Sequence, residues 1–176
     1  MLNTPFYSQL LTENNYQLEG FESIEDAKSW TKRICGLACL KMVIAKVTNQ
    51  TVPLKSLLDQ GLAVGGYMKG VGWIHQGLVD VASQYGIIGE CQSIDDELEL
   101  IDKALDSGKL VIASVSCGFD QKKKGGHLVL IIGAKPDGFL IHHPSSEENE
   151  QWFHHFVSRD DFMRCFSENG NIITIS

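Results

Sequence analysis

A chain of 176 residues is long enough to bury a sizeable core and too short for two ordinary domains, so a single domain spanning residues 1–176 is expected. Hydrophobic residues at 43% and charged residues at 21% lie near globular averages and argue against disorder. Fifteen Lys and Arg against twenty-two Asp and Glu give a net charge of -7, which counts against nucleic acid or an anionic membrane surface as partner.

No N-terminal stretch combines a basic region, an apolar run and a small-residue cleavage site, and no run approaches the ~20 apolar residues of a membrane span. A cytoplasmic location is the default expectation, and export by a leaderless route is compatible with it. Five cysteines, an odd number without scaffold spacing, suit a reducing compartment. The compact basic cluster Lys122-Lys123-Lys124 reads as solvated loop.

Residues 1–29 open with the extended-looking Pro5-Phe-Tyr-Ser-Gln9 and continue as a polar stretch without periodicity. From Gly36, the residues Leu37, Leu40, Val43, Ile44 and Val47 recur at helical spacing, predicting a helix with one buried stripe and Cys35 in its first turn, ended by Thr48-Asn49-Gln50. A short helix is expected from Val52-Pro53-Leu54 through Leu58, then a glycine-rich surface loop over 61–72 holding Tyr67 and Met68. Ile74, Leu78, Val81 and Ala82 mark another helix, stopped at Tyr85-Gly86, and a further one spans 96–107.

The period then changes. Strands are expected over 110–115 and 127–132, with Pro136-Asp137-Gly138 as a hairpin turn into 139–142. Ser158 caps a short helix through Phe166, and 172–175 forms a last strand. Helices first and antiparallel sheet second, with no internal repeat, is an α+β arrangement.

Two positions carry chemistry. At a helix start the unsatisfied N–H groups and the positive end of the helix dipole stabilise a thiolate, which makes Cys35 a candidate nucleophile. His127 begins the most apolar run directly after Gly125-Gly126, and an imidazole within reach of the thiol could take its proton. Cys39, one turn after Cys35, is expected to be a core cysteine, because neighbours at that spacing have Cβ atoms ~5–6 Å apart against the ~3.8 Å of a disulfide. Cys91, Cys117 and Cys165 receive the same core reading. His142, His143, His154 and His155 have no metal-site spacing, since adjacent strand residues point to opposite faces, so no metal is expected.

Pro5-Phe-Tyr-Ser-Gln9, Cys35-Gly-Leu-Ala-Cys-Leu-Lys-Met42, Gly72-Trp-Ile-His-Gln-Gly-Leu78, Gly125-Gly-His-Leu-Val129 and Phe139-Leu-Ile-His-His-Pro144 occur in the order seen in the bacteriocin double-glycine leader peptidase-like family. The chain therefore resembles, over nearly its whole length, members of that bacterial branch of the papain-like cysteine peptidases. The resemblance implies an N-terminal helical half bearing the nucleophile, packed on a C-terminal antiparallel sheet bearing the histidine, with the cleft between them.

Cys35 and His127 match the catalytic pair. The family's third residue, an Asp or Asn that orients the imidazole, falls on His143, and a neutral histidine can fix a tautomer without offering a carboxylate's anionic stabilisation. Gln9 matches the glutamine that, with the cysteine N–H, would face the oxyanion, although an unusually long segment separates it from Cys35. Trp73, as cleft wall or helix anchor, and Gly126 are the expected substrate-binding positions.

These implications give a cysteine hydrolase acting on a peptide or amide bond, without a cofactor. The alternatives are an acyltransferase using the same dyad and a weak or inactive peptide-binding module of the same fold. The partner is then a peptide or amide substrate, with neither nucleic acid nor membrane, and the oligomeric state is open.

Overall fold

The computed structural model describes residues 3–116, 119, 126–145, 154–168 and 170–176. Cys117, the Lys122–Lys124 cluster and Gly125 lie outside the described residues. Helix α1 (Ile24–Trp30) begins where the Ser23 hydroxyl accepts a hydrogen bond from the Asp26 N–H. No helix is expected there from sequence, because its seven residues bury Ala27 alone and so leave no apolar period to detect.

Helix α2 (Cys35–Thr48) is buried without a break from Gly36 to Ile44, which corrects the expected single stripe. It is packed from several sides. A Cβ on Gly36 would meet Leu128 and Leu78 at 2.9 Å, so the helix start lies close against the sheet and a neighbouring helix. On another side Lys41, 2% exposed, is held by the Glu19 carboxylate at 2.5 and 2.6 Å, with its ammonium over the Tyr7 ring at 4.6 Å. That pairing is what allows a lysine inside an apolar helix.

Helix α3 (Leu54–Ala63) runs five residues past the expected end at Leu58 and includes Gly61. The glycine is required by its neighbour, since a Cβ there would lie 2.5 Å from the Trp73 ring. In place of a plain loop, β1 (Tyr67–Met68) and β2 (Gly72–Trp73) form a small antiparallel hairpin leading into α4 (His75–Ser83).

The remaining elements are β3 (Gly89–Ser93), α5 (Glu99–Asp106), β4 (Leu110–Ser116), β5 (Gly126–Lys135), β6 (Gly138–His142), β7 (His155–Ser158), α6 (Arg159–Cys165) and β8 (Asn171–Ile175). Ser158 caps α6 as its sequence predicts, accepting from the Asp161 N–H. The strands make one antiparallel sheet in the order β3-β8-β4-β5-β6-β7, and Lys135 pairs with Gly138 across a two-residue turn at Pro136-Asp137.

Strand alternation divides the core in two. Leu128, Leu130 and Ile132 of β5 join the cluster that contains α2, α3 and α4. Val129 and Ile131 join Phe139, Ile141, Ile101 and Phe162, under α5 and α6. An N-terminal strap spans both halves: His142 Nε2 donates to Thr4 O at 3.0 Å, Gln9 N donates to Pro144 O at 2.9 Å, and Gln9 Nε2 donates to Thr31 O at 2.7 Å. Among the described residues no helix is long and apolar enough to cross a membrane.

Candidate active site

Helix α2 starts at Cys35, and its N-cap residue Ile34 has no side-chain oxygen to offer the first-turn N–H groups. Cys35 is partly exposed there and lines a cavity of about 490 Å³. His127, second residue of β5, lines the same cavity, together with Gly126, Trp73 and Tyr67. A smaller cavity of about 340 Å³ shares Ser114 and Gly126 with it and continues toward Cys165 and Ser167. Ser114 and Gly126 thus border both cavities, and Cys35 and His127 the larger one.

The imidazole's setting is unusual. By alternation His127 shares the face of Val129 and Ile131, so it stands at the rim where β5 begins while Cys35 approaches from the helix side. It is 6% exposed and stacks on His143, with ring centroids 4.4 Å apart and planes at 27°. Burial first, and the neighbouring His143 second, push its pKa down to about 3. Its Nε2 is buried and has no hydrogen-bond partner among the described residues.

His143 therefore meets His127 ring on ring rather than edge on, and the Ser145 hydroxyl lies 3.3 Å from His143 Nδ1. His142 turns the other way, as adjacent residues along an extended chain do, toward Thr4 and His154, on whose ring it stacks at 4.9 Å. Burial lowers its pKa to about 4, against the opposing hydrogen bond to Thr4.

Trp73 is both wall and anchor. Its ring lines the cavity and fills the space beside Gly61, while its Nε1 donates to Arg33 O at 2.7 Å and so fixes the stretch just before Cys35. Gln9 is placed differently from its expected role. It is absent from the cavity lining, and its side-chain amide N–H is committed to Thr31 O, because the segment between Gln9 and Cys35 folds back and brings Thr31 against it. Sequence reading did not find Lys32, Arg33, Lys69 and Ser114, which also line the cavity and converge only through the fold.

Cys39 is fully buried, its thiol donating to Leu128 O at 3.5 Å, and Cys165 is buried as well. Cys91 is exposed, which corrects the core reading: β3 is an edge strand with polar neighbours. Partial burial, then Asp80 and Glu90, push its thiol pKa up.

A cleft at the junction of a helical half and an antiparallel sheet, with a cysteine on the first helix of the cleft and a histidine on the facing strand, defines the papain-like cysteine peptidase fold. Within it the chain belongs to the Peptidase_C39 like family, whose sequence profile matches residues 1–172. Among solved structures it is similar to a candidate C39-like peptidase from Bacillus anthracis, at 16% identity and TM-score 0.69, covering 100% of this chain and 96% of that one. The peptidase domain of Streptococcus ComA, a bi-functional ABC transporter involved in a quorum sensing pathway, aligns at 20% identity and TM-score 0.62 over 82% of this chain and 92% of that one. A double glycine motif protease from an AMS/PCAT transporter, solved with its leader peptide, aligns at 17% identity and TM-score 0.57 over 99% and 90%. No curated protein sequence matches significantly. The family and the fold support a cysteine peptidase-like function.

Proposed function

We propose that this protein is a cysteine peptidase in which Cys35 is the nucleophile and His127 the base, acting on a peptide or amide bond. The observation that carries this reading is the shared cavity: a thiol at a helix start and an imidazole whose Nε2 has no hydrogen-bond partner among the described residues line the same space. At neutral pH a histidine with a pKa near 3 is in its proton-accepting form. Proton transfer from Cys35 to His127 gives a thiolate that attacks the carbonyl, and the first-turn N–H groups face the developing oxyanion. The imidazolium then protonates the departing amine, and water, or an amine in acyl transfer, resolves the thioester.

Gln9, in this reading, acts by holding Thr31 and the lead-in to Cys35 rather than by touching the oxyanion. Trp73 and Gly126 border the substrate. The low basicity of His127 favours, as second reading, a slow enzyme or a peptide-binding module, because no carboxylate among the described residues stabilises the imidazolium. Limited iodoacetamide labelling with peptide mapping tests the nucleophile: Cys35 is expected to be modified before the exposed Cys91, whose thiol pKa is pushed up, and Cys35→Ala to abolish peptide cleavage. Cys35 left untouched while Cys91 reacts would refute the assignment.

A further inference from the structure

The cavity is one-sided in charge. Lys32, Arg33 and Lys69 line it, and no Asp or Glu among the described residues does, in a chain with twenty-two acidic and fifteen basic residues. Five cations elsewhere are paired, Lys28 with Glu13, Lys41 with Glu19, Lys55 with Asp59, Arg159 with Asp102 and Arg164 with Asp161, while Lys46, Lys103, Lys109 and Lys135 stand apart from one another along the chain without a carboxylate partner among the described residues. The three cavity cations have no carboxylate partner among the described residues. Arg33 is oriented by neutral groups instead, donating from Nε to Ser29 O at 2.9 Å and lying 4.3 Å over the Trp30 ring, so its position is held and its charge is left uncancelled. Burial lowers the His75 pKa, so the positive field at neutral pH comes from the lysines and the arginine.

Lys32 and Arg33 lead directly into Cys35, and Lys69 reaches the cavity from the turn between β1 and β2. An extended peptide advances ~3.3–3.6 Å per residue, so these cations face the substrate residues adjoining the reacting carbonyl. The overall charge of -7 repels acidic ligands at long range, and a local reversal at the cleft gives selectivity for a negative group there. Resting on the assignment of Cys35 as nucleophile, we propose that the site takes peptides carrying a carboxylate within about two residues of the scissile bond, held by Lys32, Arg33 and Lys69.

The test compares two alkylating reagents at Cys35, anionic iodoacetate and neutral iodoacetamide, against the neutral thiol N-acetylcysteine amide. The iodoacetate-to-iodoacetamide rate ratio is expected to be about tenfold higher at Cys35 than in the small thiol at low salt, to fall toward it in about 0.5 M salt, and to drop in Lys32→Gln/Lys69→Gln. A ratio at or below that of the small thiol overturns the proposal while leaving the nucleophile in place.

If Cys35 in the folded protein takes neither reagent, the nucleophile assignment is what fails. The charge preference is then read on Cys35→Ala by anisotropy of rhodamine-labelled peptides that differ in a central Glu or Lys. Tighter binding of the Glu peptide supports it. Equal binding, preference for Lys, or preference for an oligothymidylate over the Glu peptide overturns it.

Discussion

At the scale of single residues, the decisive contact is the stack of His127 on His143. A second imidazole beside His127 adds repulsion to any proton that ring accepts, on top of the cost of burial. His143→Asp replaces that repulsion with attraction, and an anion within ~4–6 Å raises a histidine pKa by about 1–3 units. The alkylation profile of Cys35 is then expected to move to lower pH by about one unit or more, with faster turnover on any accepted peptide, while His143→Ala loosens the ring and slows acylation. A pH series of iodoacetamide rates for the three proteins decides this, and an unmoved profile in His143→Asp rejects His143 as the orienting position. Cys35 and His127 were legible in the sequence because each rests on local backbone: a helix start, and a glycine pair entering an apolar strand. The cations at Lys32, Arg33 and Lys69 were not, because they converge only in three dimensions.

Among the elements, the parts the sequence announced are those with enough apolar residues to set a period: α2, α4, β4, β5 and the Pro136-Asp137 hairpin. Those it concealed lack such a pattern. Edge strand β3 reads Gly-Glu-Cys-Gln-Ser, half exposed and polar throughout, and β1 and β2 have two residues each. Their hairpin is held by glycine packing that no periodicity reveals: Gly66 O accepts from Ile74 N at 2.9 Å, and a Cβ on Gly77 would come within 2.3 Å of Gly66 Cα. Gly77→Ala must part those two backbones, and a loss of about 1–3 kcal/mol is expected, visible as a lower Tm in thermal melts. Gly126→Ala is the contrast, since beyond its chain neighbours no atom of the described residues lies within 4 Å of its Cβ position and its φ is not positive. It should melt close to the parent protein yet lose turnover if substrate passes over Gly126. A Gly126→Ala enzyme of full activity removes Gly126 from the substrate path.

For the molecule as a whole, buried neutral imidazoles link stability to pH. His127 and His142 have pKa values of about 3 and about 4 in the fold and titrate near 6.5 in an unfolded chain. Between about pH 6.5 and those lower values the unfolded state binds protons that the folded state refuses, so their contribution is full above about 6.5 and is lost on acidification. Thermal melts should therefore show a falling Tm from pH 6.5 to 4.5, and a Tm that holds level or rises over that range would contradict the buried neutral state of both rings. The strap that ties Thr4 to His142, 138 residues away, has another consequence, in the timing of synthesis. At about 5–20 residues per second, roughly seven to twenty-eight seconds separate the emergence of the first partner from that of the second. Throughout most of that interval α2 and its thiol exist without β5, and the N-terminal segment waits for carbonyl and imidazole partners not yet made. In the proposed reading a nascent copy thus carries Cys35 before His127, and the pair is incomplete on the polysome until the sheet closes over the helix.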